Sequence, residues 1–314
     1  MKRYIRAAVN DLSNESPETL KELARTTTRP DVLLRLASSE FIWDVALEAL
    51  ENPNTPFIEI AKRGERRACR HIAWTTKDPK VLTVLADNED LEVRESVAKN
   101  PKTPNRVLVK LARLGNTRIN DALLRRKKLS DSVMIAMLDS ANTEDVKWND
   151  DGIATQLLRK IADDHKEYNT PYPSDKVAIA LAKYPNWYSQ SELLVWDINE
   201  EWKLPTEAYY ILADPKNDKW VRAGLSEAKD VPFDIIEGLL NDPSSFVRRN
   251  VAIHTKLPEQ YYYQLAQDEA EDVREFLAKN PNVPNEVLQI LAQDDVDEVR
   301  EAAAEVLYER GIEL

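Results

Sequence analysis

One pattern, written twice near the end of the chain, constrains its fold more than any other feature of the sequence. The two copies lie between Leu257 and Ala303, so that Pro258 aligns with Pro284 and Arg274 with Arg300. A fixed period in the twenties is typical of solenoid proteins, in which each unit buries its apolar face only against its neighbours. The repeat therefore predicts a stacked architecture, and it names no reaction or partner.

Prolines at nearly the same interval extend this repeat through most of the chain. They form a first array that runs to Pro104 and a second array that begins at Pro205. Pro17 lies only about half a period before the first array, so we expect a truncated unit that caps it. The prolines that begin units are Pro30, Pro56, Pro79, Pro104, Pro205, Pro232, Pro258 and Pro284.

The composition favours helices over strands. The chain has 314 residues, of which 43% are hydrophobic and 31% charged, so it has enough apolar side chains to fold. It contains only 6 glycines against 17 prolines. Strand-and-turn folds and phosphate-binding loops depend on glycine, whereas proline is common at helix starts. We therefore predict an all-α protein.

Each unit is expected to contain two short helices. Thr103 is predicted to cap a helix whose first residue is Pro104, and Leu108 and Leu111 then lie on one apolar stripe. At the end of the preceding helix, Asn100 is followed by a proline that prevents continuation, and asparagine tolerates a left-handed C-cap. Two short helices and two turns account for a unit of about 25 residues.

These repeated segments carry a resemblance to a known family. The segments DNEDLEVRESVAKNP (87–101), NPKTPNRVLVKLA (100–112) and DEAEDVREFLAKNPNVP (268–284) resemble the variant leucine-rich repeat family, which is similar to HEAT repeats. The resemblance covers residues 17–139 and 205–308. It implies a right-handed α-solenoid of two-helix repeats. That family is also associated with a cofactor, an iron–sulfur centre held by a cysteine cluster near the N-terminus.

That cofactor is not expected here. Cys69 is the only cysteine in the chain, which excludes a cysteine cluster and an internal disulfide. The three histidines, His71, His165 and His254, are scattered and form no metal-ligand spacing with acidic residues. We predict no metal and no cofactor.

Charge divides the chain into parts of opposite sign. Residues 1–130 contain 25 Lys and Arg against 18 Asp and Glu, whereas residues 131–314 contain 18 against 37. The repeat pattern is interrupted at 140–204, where 145–151 and 163–173 are predicted to be longer loops. We therefore predict a basic repeat array at 1–139, an irregular aromatic-rich insertion at 140–204 and an acidic array at 205–314.

The aromatic residues of the insertion are candidates for partner binding. An insertion in a repeat array lies on one face, which is often the binding face. The alternative is that these rings fill a wider core, because clustered aromatic residues are more often buried than exposed. The residues are Tyr184, Trp187, Tyr188, Trp196 and Trp202.

A basic cluster in the first array is a candidate for binding nucleic acid or an acidic partner. On one face, such cations could follow a phosphate backbone. They could equally be solvated, or bind an acidic protein or the acidic half of this chain. The residues are Lys62, Arg63, Arg66, Arg67, Arg70, Lys110, Arg113, Arg125, Arg126, Lys127 and Lys128.

A column of arginines recurs with the repeat. The interpretation that we favour is a ladder in which these arginines pair with carboxylates of neighbouring turns, because the acids recur with the arginines and would neutralise them. The other interpretation is a phosphate-binding ridge. The arginines are Arg94, Arg222, Arg248, Arg274 and Arg300, and the turn acids are Asp87, Asp242, Asp268 and Asp294.

No motif of a known enzyme class is present: the chain lacks a nucleophile elbow, a P-loop and a dinucleotide-binding glycine pattern. We therefore predict a non-enzymatic scaffold that binds a protein through its concave or insertion-bearing face. The alternatives are a nucleic-acid-binding solenoid similar to the HEAT-like DNA glycosylases, and an acidic surface that occupies a basic protein. No signal peptide or membrane-spanning run is apparent, so we expect a soluble, cytoplasmic protein with no membrane association.

Overall fold

A computed structural model describes the chain over six ranges of residues. Every regular element in these ranges is a helix, so the all-α prediction is confirmed for the described part of the chain. The chain divides into two compact units, Met1–Ser140 and Ala141–Leu314. The described ranges are residue 12 and residues 15–38, 42–141, 152–199, 202–254 and 256–312.

The first unit contains ten α-helices within its described residues, most of them seven to ten residues long. They are α1 (Pro17–Thr26), α2 (Pro30–Ala37), α3 (Trp43–Glu51), α4 (Phe57–Arg63), α5 (Arg66–Thr75), α6 (Pro79–Leu85), α7 (Leu91–Lys99), α8 (Asn105–Ala112), α9 (Thr117–Leu124) and α10 (Asp131–Ser140).

The second unit contains eleven helices within its described residues. They are α11 (Ile153–Tyr168), α12 (Asp175–Lys183), α13 (Trp187–Ile198), α14 (Thr206–Leu212), α15 (Lys219–Gly224), α16 (Phe233–Leu239), α17 (Ser245–His254), α18 (Glu259–Leu265), α19 (Glu271–Ala278), α20 (Asn285–Leu291) and α21 (Asp297–Glu309). Across the described residues of both units, no helix combines the length and the apolar character that crossing a membrane requires.

Helices pack on the next but one along the chain. In the first unit α1, α3, α5, α7 and α9 contact one another in succession, and in the second unit α11, α13, α15, α17, α19 and α21 do the same. We call these two series the odd rows. Even-numbered helices such as α4, α8 and α18 lie against members of the odd row of their own unit. Each helix thus buries its apolar stripe against a small, recurring set of neighbours.

The apolar stripes follow the spacing that the sequence predicts. In α8 the buried residues are Val107, Leu108, Leu111 and Ala112, which fall on one side of a helix. Leu111 is completely buried. Since so short a helix is barely stable in water, this burial rather than intrinsic propensity must hold it.

The caps differ from the prediction at Thr103 and Asn100. Pro104 occupies the N-cap position of α8 instead of its first helical turn, and Thr103 donates its hydroxyl to the carbonyl of Val97, 2.5 Å away, at the end of the preceding helix. Asn100 is not left-handed, since its φ is −67°. Proline restricts the residue before it to extended conformations, which explains this backbone geometry.

Asn100 instead uses its side chain to reach the preceding pair of helices. Its Nδ2 donates to the carbonyls of Ala73 and Thr76, at 2.8 and 2.9 Å, at the end of α5. Asn52 donates in the same way to the carbonyls of Ala24 and Thr27, at 2.8 and 3.0 Å, at the end of α1. These bonds satisfy carbonyls that a helix end leaves without a partner.

Gly115 is required by its backbone and by its surroundings. Its φ is +61°, a conformation that side chains other than glycine rarely adopt. A Cβ at this position would lie 2.5 Å from the carbonyl oxygen of Ser140 in α10. The turn between α8 and α9 is therefore packed too closely for any larger residue.

The segment predicted to be an irregular insertion contains helices that continue the alternating packing. Helix α11 packs on α13, α12 on α14 and α13 on α15. The loop predicted at 163–173 is wrong over its first half, because α11 continues to Tyr168 and ends at Asn169 in the left-handed conformation, with φ of 50°. The other predicted loop, 145–151, lies outside the described residues.

We predict that Leu111→Ala destabilises the first unit by about 2–5 kcal/mol, because it removes a fully buried side chain and leaves a cavity. Chemical denaturation of the wild type and the variant measures this difference. Leu114→Ala is the matched control, since Leu114 is largely exposed in the following turn. An unchanged unfolding midpoint for Leu111→Ala would contradict the packing described here.

Candidate functional site

Three arginines of the predicted ladder pair with aspartates twenty residues later. Arg222 Nε lies 2.6 Å from Asp242 Oδ2 and Arg248 Nε lies 2.8 Å from Asp268 Oδ2. Arg274 bonds Asp294 in the same way at 2.7 Å. All these side chains are almost completely buried. Each pair uses two parallel bonds, the geometry that guanidinium and carboxylate groups favour. The favoured interpretation of this column is therefore confirmed at these positions.

The ladder is continuous because each aspartate also offers its main-chain carbonyl to the next arginine. Arg248 Nη1 donates to the carbonyl of Asp242 at 2.8 Å, and Arg274 Nη1 to that of Asp268 at 2.7 Å. Arg300 closes the series on the carbonyl of Asp294 at 2.6 Å. Arg222, Arg248 and Arg274 are therefore committed to buried contacts within the second unit, so they are unavailable to a phosphate ligand.

The predicted ladder does not extend to Arg94 and Asp87. Position 114, twenty residues after Arg94, is a leucine, and Arg94 Nε is buried without a hydrogen-bond acceptor among the described residues. Asp87 instead pairs with Lys110. Arg94 therefore does not continue the arginine–aspartate pairing that Arg222, Arg248 and Arg274 form in the second unit.

Several members of the predicted basic cluster are neutralised within the first unit. Arg66 and Arg70 contact Glu92, at 3.1 and 2.7 Å, and Lys110 contacts Asp87. These surface pairs contribute little stability, but they place a carboxylate beside each cation. The cluster therefore does not form an uninterrupted basic face.

Arg126 has a structural role. Its Nη1 donates to the carbonyls of Ala98 and Asn100, at 2.7 and 2.9 Å, at the end of α7. Arg126 therefore donates hydrogen bonds to carbonyls at the end of α7, as Asn100 does at the end of α5. Burial lowers the pKa of its guanidinium. Because its guanidinium is held by main-chain carbonyls of the same unit, Arg126 is not part of a binding surface.

The remaining cations of the cluster are exposed. Arg67 stacks on an aromatic ring described below, and Lys127 lies on the exposed loop after α9. Five others have no carboxylate within ion-pair distance in the described part of the chain. They are Lys62, Arg63, Arg113, Arg125 and Lys128.

A groove of about 530 Å³ crosses the odd row of the first unit. Helix α3 contributes Trp43, and α5 contributes Arg67, His71 and Trp74. The guanidinium carbon of Arg67 lies 5.0 Å from the centre of the Trp43 ring, and His71 meets that ring edge-on at 6.1 Å. Trp74 is 65% exposed. The groove thus presents the indole of Trp43, which is in contact with Arg67 and His71, and the largely exposed indole of Trp74.

The opposite wall of the groove is formed by α7 and α9, through charged pairs. Glu95 accepts hydrogen bonds from Lys99 and Arg118, both at 2.6 Å, and Glu92 accepts one from Arg70 at 2.7 Å. The bond to Lys99, together with the charges of Lys99 and Arg118, lowers the pKa of Glu95 below its usual value. Burial lowers the pKa of His71, so that histidine is neutral at pH 7. The groove is therefore lined by charged pairs from α7 and α9 and by aromatic rings from α3 and α5.

The aromatic residues predicted in the central segment separate into two groups. Tyr184, Trp196 and Trp202 are buried, whereas Trp187 is 40% exposed. Tyr188 is half-buried and meets the Trp187 ring edge-on, with ring centres 5.9 Å apart. Within this group, the ring most accessible to a partner is that of Trp187.

Two of the buried rings, Trp196 and Trp202, cluster with the half-buried rings of Tyr172 and His165. Tyr172 stacks on Trp202, with ring centres 5.7 Å apart and planes 8° from parallel, and on His165 at 4.4 Å. Trp196 lies against Trp202 at 6.2 Å. This arrangement matches the alternative that the aromatic residues fill a wider core.

Sequence reasoning missed Trp43 and Trp74, because both occur in regular repeats away from the aromatic-rich segment. The sequence did contain a pattern that indicates an exposed side chain at Trp74. Arg67, Arg70 and Trp74 fall at i, i+3 and i+7 of one helix, so the tryptophan belongs to a charged stripe rather than to the apolar one. Large apolar side chains on a polar helix face indicate an interaction surface.

Comparisons with known proteins add no functional information. No family model and no curated protein sequence matches the chain. A crystal structure of an engineered protein from the Northeast Structural Genomics Consortium is 16% identical, with 97% of this chain and 98% of that chain aligned, at a TM-score of 0.24. A likeness this low supports no conclusion about this chain. Among the described residues, no group of three or more His, Cys, Asp or Glu side chains is arranged to hold a metal ion.

We predict that Arg248→Ala destabilises the second unit by about 3–5 kcal/mol, because it leaves the buried carboxylate of Asp268 without its partner. Lys203→Ala is the control, since it removes an exposed cation that pairs with Asp230 at 2.8 Å, and should leave the free energy of unfolding almost unchanged. Denaturant titration of both variants measures these values. Equal effects would show that the ladder is no stronger than a surface ion pair.

The ladder also predicts a pH dependence. The hydrogen bond from Arg274 holds the pKa of the Asp294 carboxyl below its usual value. Its stabilising effect is therefore complete above the unfolded-state pKa of about 3.9, and is lost as the pH falls from there through the lower folded-state value. Asp294→Asn should lose less stability than the wild type between about pH 4 and pH 2. Identical slopes of unfolding free energy against pH would exclude this contribution.

Proposed function

We propose that the chain is a non-enzymatic scaffold whose first unit binds a partner protein through the groove between α3, α5, α7 and α9. We further propose that both units are right-handed α-solenoids of two-helix repeats of about 25 residues. The successive packing of the odd rows supports this architecture, because each helix contacts mainly its neighbours in the series.

The exposed indole of Trp74 carries the proposal. Its 65% exposure in a groove beside Trp43 leaves a large apolar surface in contact with water. Tryptophan and arginine dominate the binding energy of protein interfaces when they lie at the centre of a patch surrounded by polar groups. Here Trp74 lines the groove together with Glu92 and Glu95, whose charged pairs supply polar groups of this kind.

The groove is ordered before a partner arrives. Arg67 is stacked on Trp43, and the carboxylate of Glu95 is held by Lys99 and Arg118. Side chains that are already fixed lose less conformational freedom on binding, so more of the contact energy appears as affinity. A preformed polar rim also discriminates against partners whose charges do not match.

Nucleic acid is the second candidate ligand of the first unit. Its support is the set of five exposed cations without carboxylate partners in the described part of the chain: Lys62, Arg63, Arg113, Arg125 and Lys128. The groove itself argues against a polyanion, since Arg70 and Arg118 already contact Glu92 and Glu95. The acidic-surface alternative, in which the second unit occupies a basic protein, rests on net charge alone.

We predict that Trp74→Ala abolishes capture of a protein partner. The experiment is affinity capture from a lysate of the source cells at low and moderate salt, with nuclease, using the wild type and the variant. Tyr308→Ala is the control, because Tyr308 is 84% exposed on α21 of the second unit. A protein retained by the wild type and the control and lost from Trp74→Ala is the expected result. Retention by Trp74→Ala would place the partner elsewhere.

The same experiment separates the two candidate ligands. A variant with glutamine at the five exposed cations named above should keep the protein partner, because none of these residues lines the groove. If capture disappears with nuclease, and the five-glutamine variant retains no nucleic acid, then the first unit binds nucleic acid. Such binding would also weaken steeply with salt.

A further inference from the structure

A second exposed surface, in the odd row of the second unit, alternates aromatic rings with cations. We name it the aromatic track. It begins at Trp187 and the lysines at 216 and 219, and continues along α15, α17 and α19. Its members are Trp187, Lys216, Lys219, Trp220, Phe246, Arg249, Phe276 and Lys279.

The rings and cations of the track contact one another from α15 to α19. Trp220 meets Phe246 edge-on, with ring centres 4.3 Å apart, and Lys219 Nζ lies 5.5 Å from the Phe246 ring. The guanidinium of Arg249 lies between two rings, 4.7 Å from Phe246 and 5.1 Å from Phe276. These contacts are short enough for cation–π attraction, so the track is a continuous stack across three neighbouring helices.

Arg249 differs from Arg248, its neighbour in sequence. Arg248 is buried and bonded to both oxygens of Asp268. Arg249 is 31% exposed, and the nearest carboxylate, Asp272, lies 3.5 Å away, beyond the usual length of a charged hydrogen bond. Its Nε is buried and has no acceptor among the described residues. The guanidinium of Arg249 is therefore held less tightly by its carboxylate than that of Arg248, and its exposed part can contact a ligand.

The start of the track is a groove of about 710 Å³. Trp187, 40% exposed, lies there with Pro185 and Pro243. Lys216 and Lys219 line the same groove, and neither has a carboxylate within ion-pair distance in the described part of the chain. The carboxylate of Asp218 also lines the groove, where it accepts a hydrogen bond from the amide of Trp220. Apolar side chains beside unpaired cations match a ligand that has both apolar and negatively charged groups.

Unpaired cations are unexpected in this unit, because residues 141–314 contain 18 Lys and Arg against 35 Asp and Glu. Most cations here could find a carboxylate, yet Lys216 and Lys219 have none within ion-pair distance in the described part of the chain. Three cations lie over the half-buried rings of Phe246 and Phe276, namely Lys219, Arg249 and Lys279. Two carboxylates near the track are already used: Glu275 pairs with Lys279 at 2.6 Å, and Asp218 caps α15 through the amide of Trp220.

We infer that the aromatic track is a docking surface for an extended, acidic segment of a partner protein. The carboxylates of that segment would contact Lys216, Lys219 and Arg249, while its apolar or proline side chains would lie on Trp187 and Trp220. Four neighbouring helix axes span roughly 30 Å, which an extended segment of about nine residues covers. A peptide can place its few carboxylates opposite these cations and apolar side chains elsewhere. A nucleic acid fits less well, because each of its nucleotides carries a phosphate that the excess of carboxylates in this unit repels.

This inference rests on the proposed function only in that the partner is a protein, and it concerns a different unit from the Trp74 groove. The test uses the full chain and a fluorescein-labelled nine-residue peptide with glutamate at alternate positions and leucine or proline between them. Matched peptides carry glutamine or lysine in place of glutamate, and oligothymidylate is the nucleic-acid probe. Fluorescence anisotropy at low and moderate salt gives each dissociation constant.

The expected result is saturable binding of the glutamate peptide, at least about tenfold tighter than either matched peptide or oligothymidylate. Combining Lys216→Gln, Lys219→Gln and Arg249→Gln should weaken it by about tenfold or more. Trp220→Ala should weaken it independently, since it removes an exposed ring and no charge. Lys176→Gln with Lys256→Gln is the control, because both lysines are exposed and lie outside the track.

Three results would overturn the inference: equal affinity for the glutamine peptide, tighter binding of oligothymidylate, or equal weakening by the control pair and the track variants. Absence of binding to every peptide would also overturn it. Circular dichroism of each variant establishes that the fold is intact, and Trp220→Ala changes an exposed residue only. Because Trp74→Ala should leave peptide binding unchanged, failure here is distinct from failure of the proposed groove.

Discussion

Polar side chains that reach from one helix to the end of the helix two before it hold each unit together. Most helices here are seven to ten residues long, too short to be stable alone, and each leaves its last carbonyls without partners. Asn52, Asn100 and Arg126 donate to such carbonyls in the first unit. In the second, Asn280 donates to the carbonyl of Ala252, and the arginine ladder adds buried ion pairs. The packing of the helices and the hydrogen bonds to their last carbonyls therefore repeat with the same period along the chain.

This constraint decides which side chains remain for binding. Arg222, Arg248, Arg274 and Arg126 resemble surface cations in the sequence, but they are used inside the fold. What remains on the odd rows is a smaller set of exposed rings with neighbouring cations, such as Trp74 in one unit and Trp220 in the other. Both surfaces cross several helices, as expected where stacked repeats supply the side chains.

The sequence predicted the features that depend on a fixed spacing. The proline period located the start of one helix in each sequence repeat to within one residue. The recurrence of arginine with aspartate predicted the buried pairs of Arg248 and Arg274. The sequence could not predict which polar atoms would meet across one repeat, so Asn100 was expected to act within its own turn. The crowding of aromatic residues also led to the prediction that Trp196 and Trp202 bind a partner, although both are buried. The exposed Trp74 was not predicted, because it is the only aromatic residue of its helix.

Hydrogen exchange measured on the Asn100→Ala variant tests the central claim most directly. The claim is that the end of a helix is stabilised by a polar side chain from the helix two positions later. The account predicts faster exchange in the last turn of α5 around Ala73 to Thr76, one repeat before the substitution, because its carbonyls lose the Nδ2 donor of Asn100. Exchange in α19 and α21 should not change, since they belong to the other unit. Faster exchange confined to the turn at residue 100, with α5 protected as in the wild type, would contradict the account.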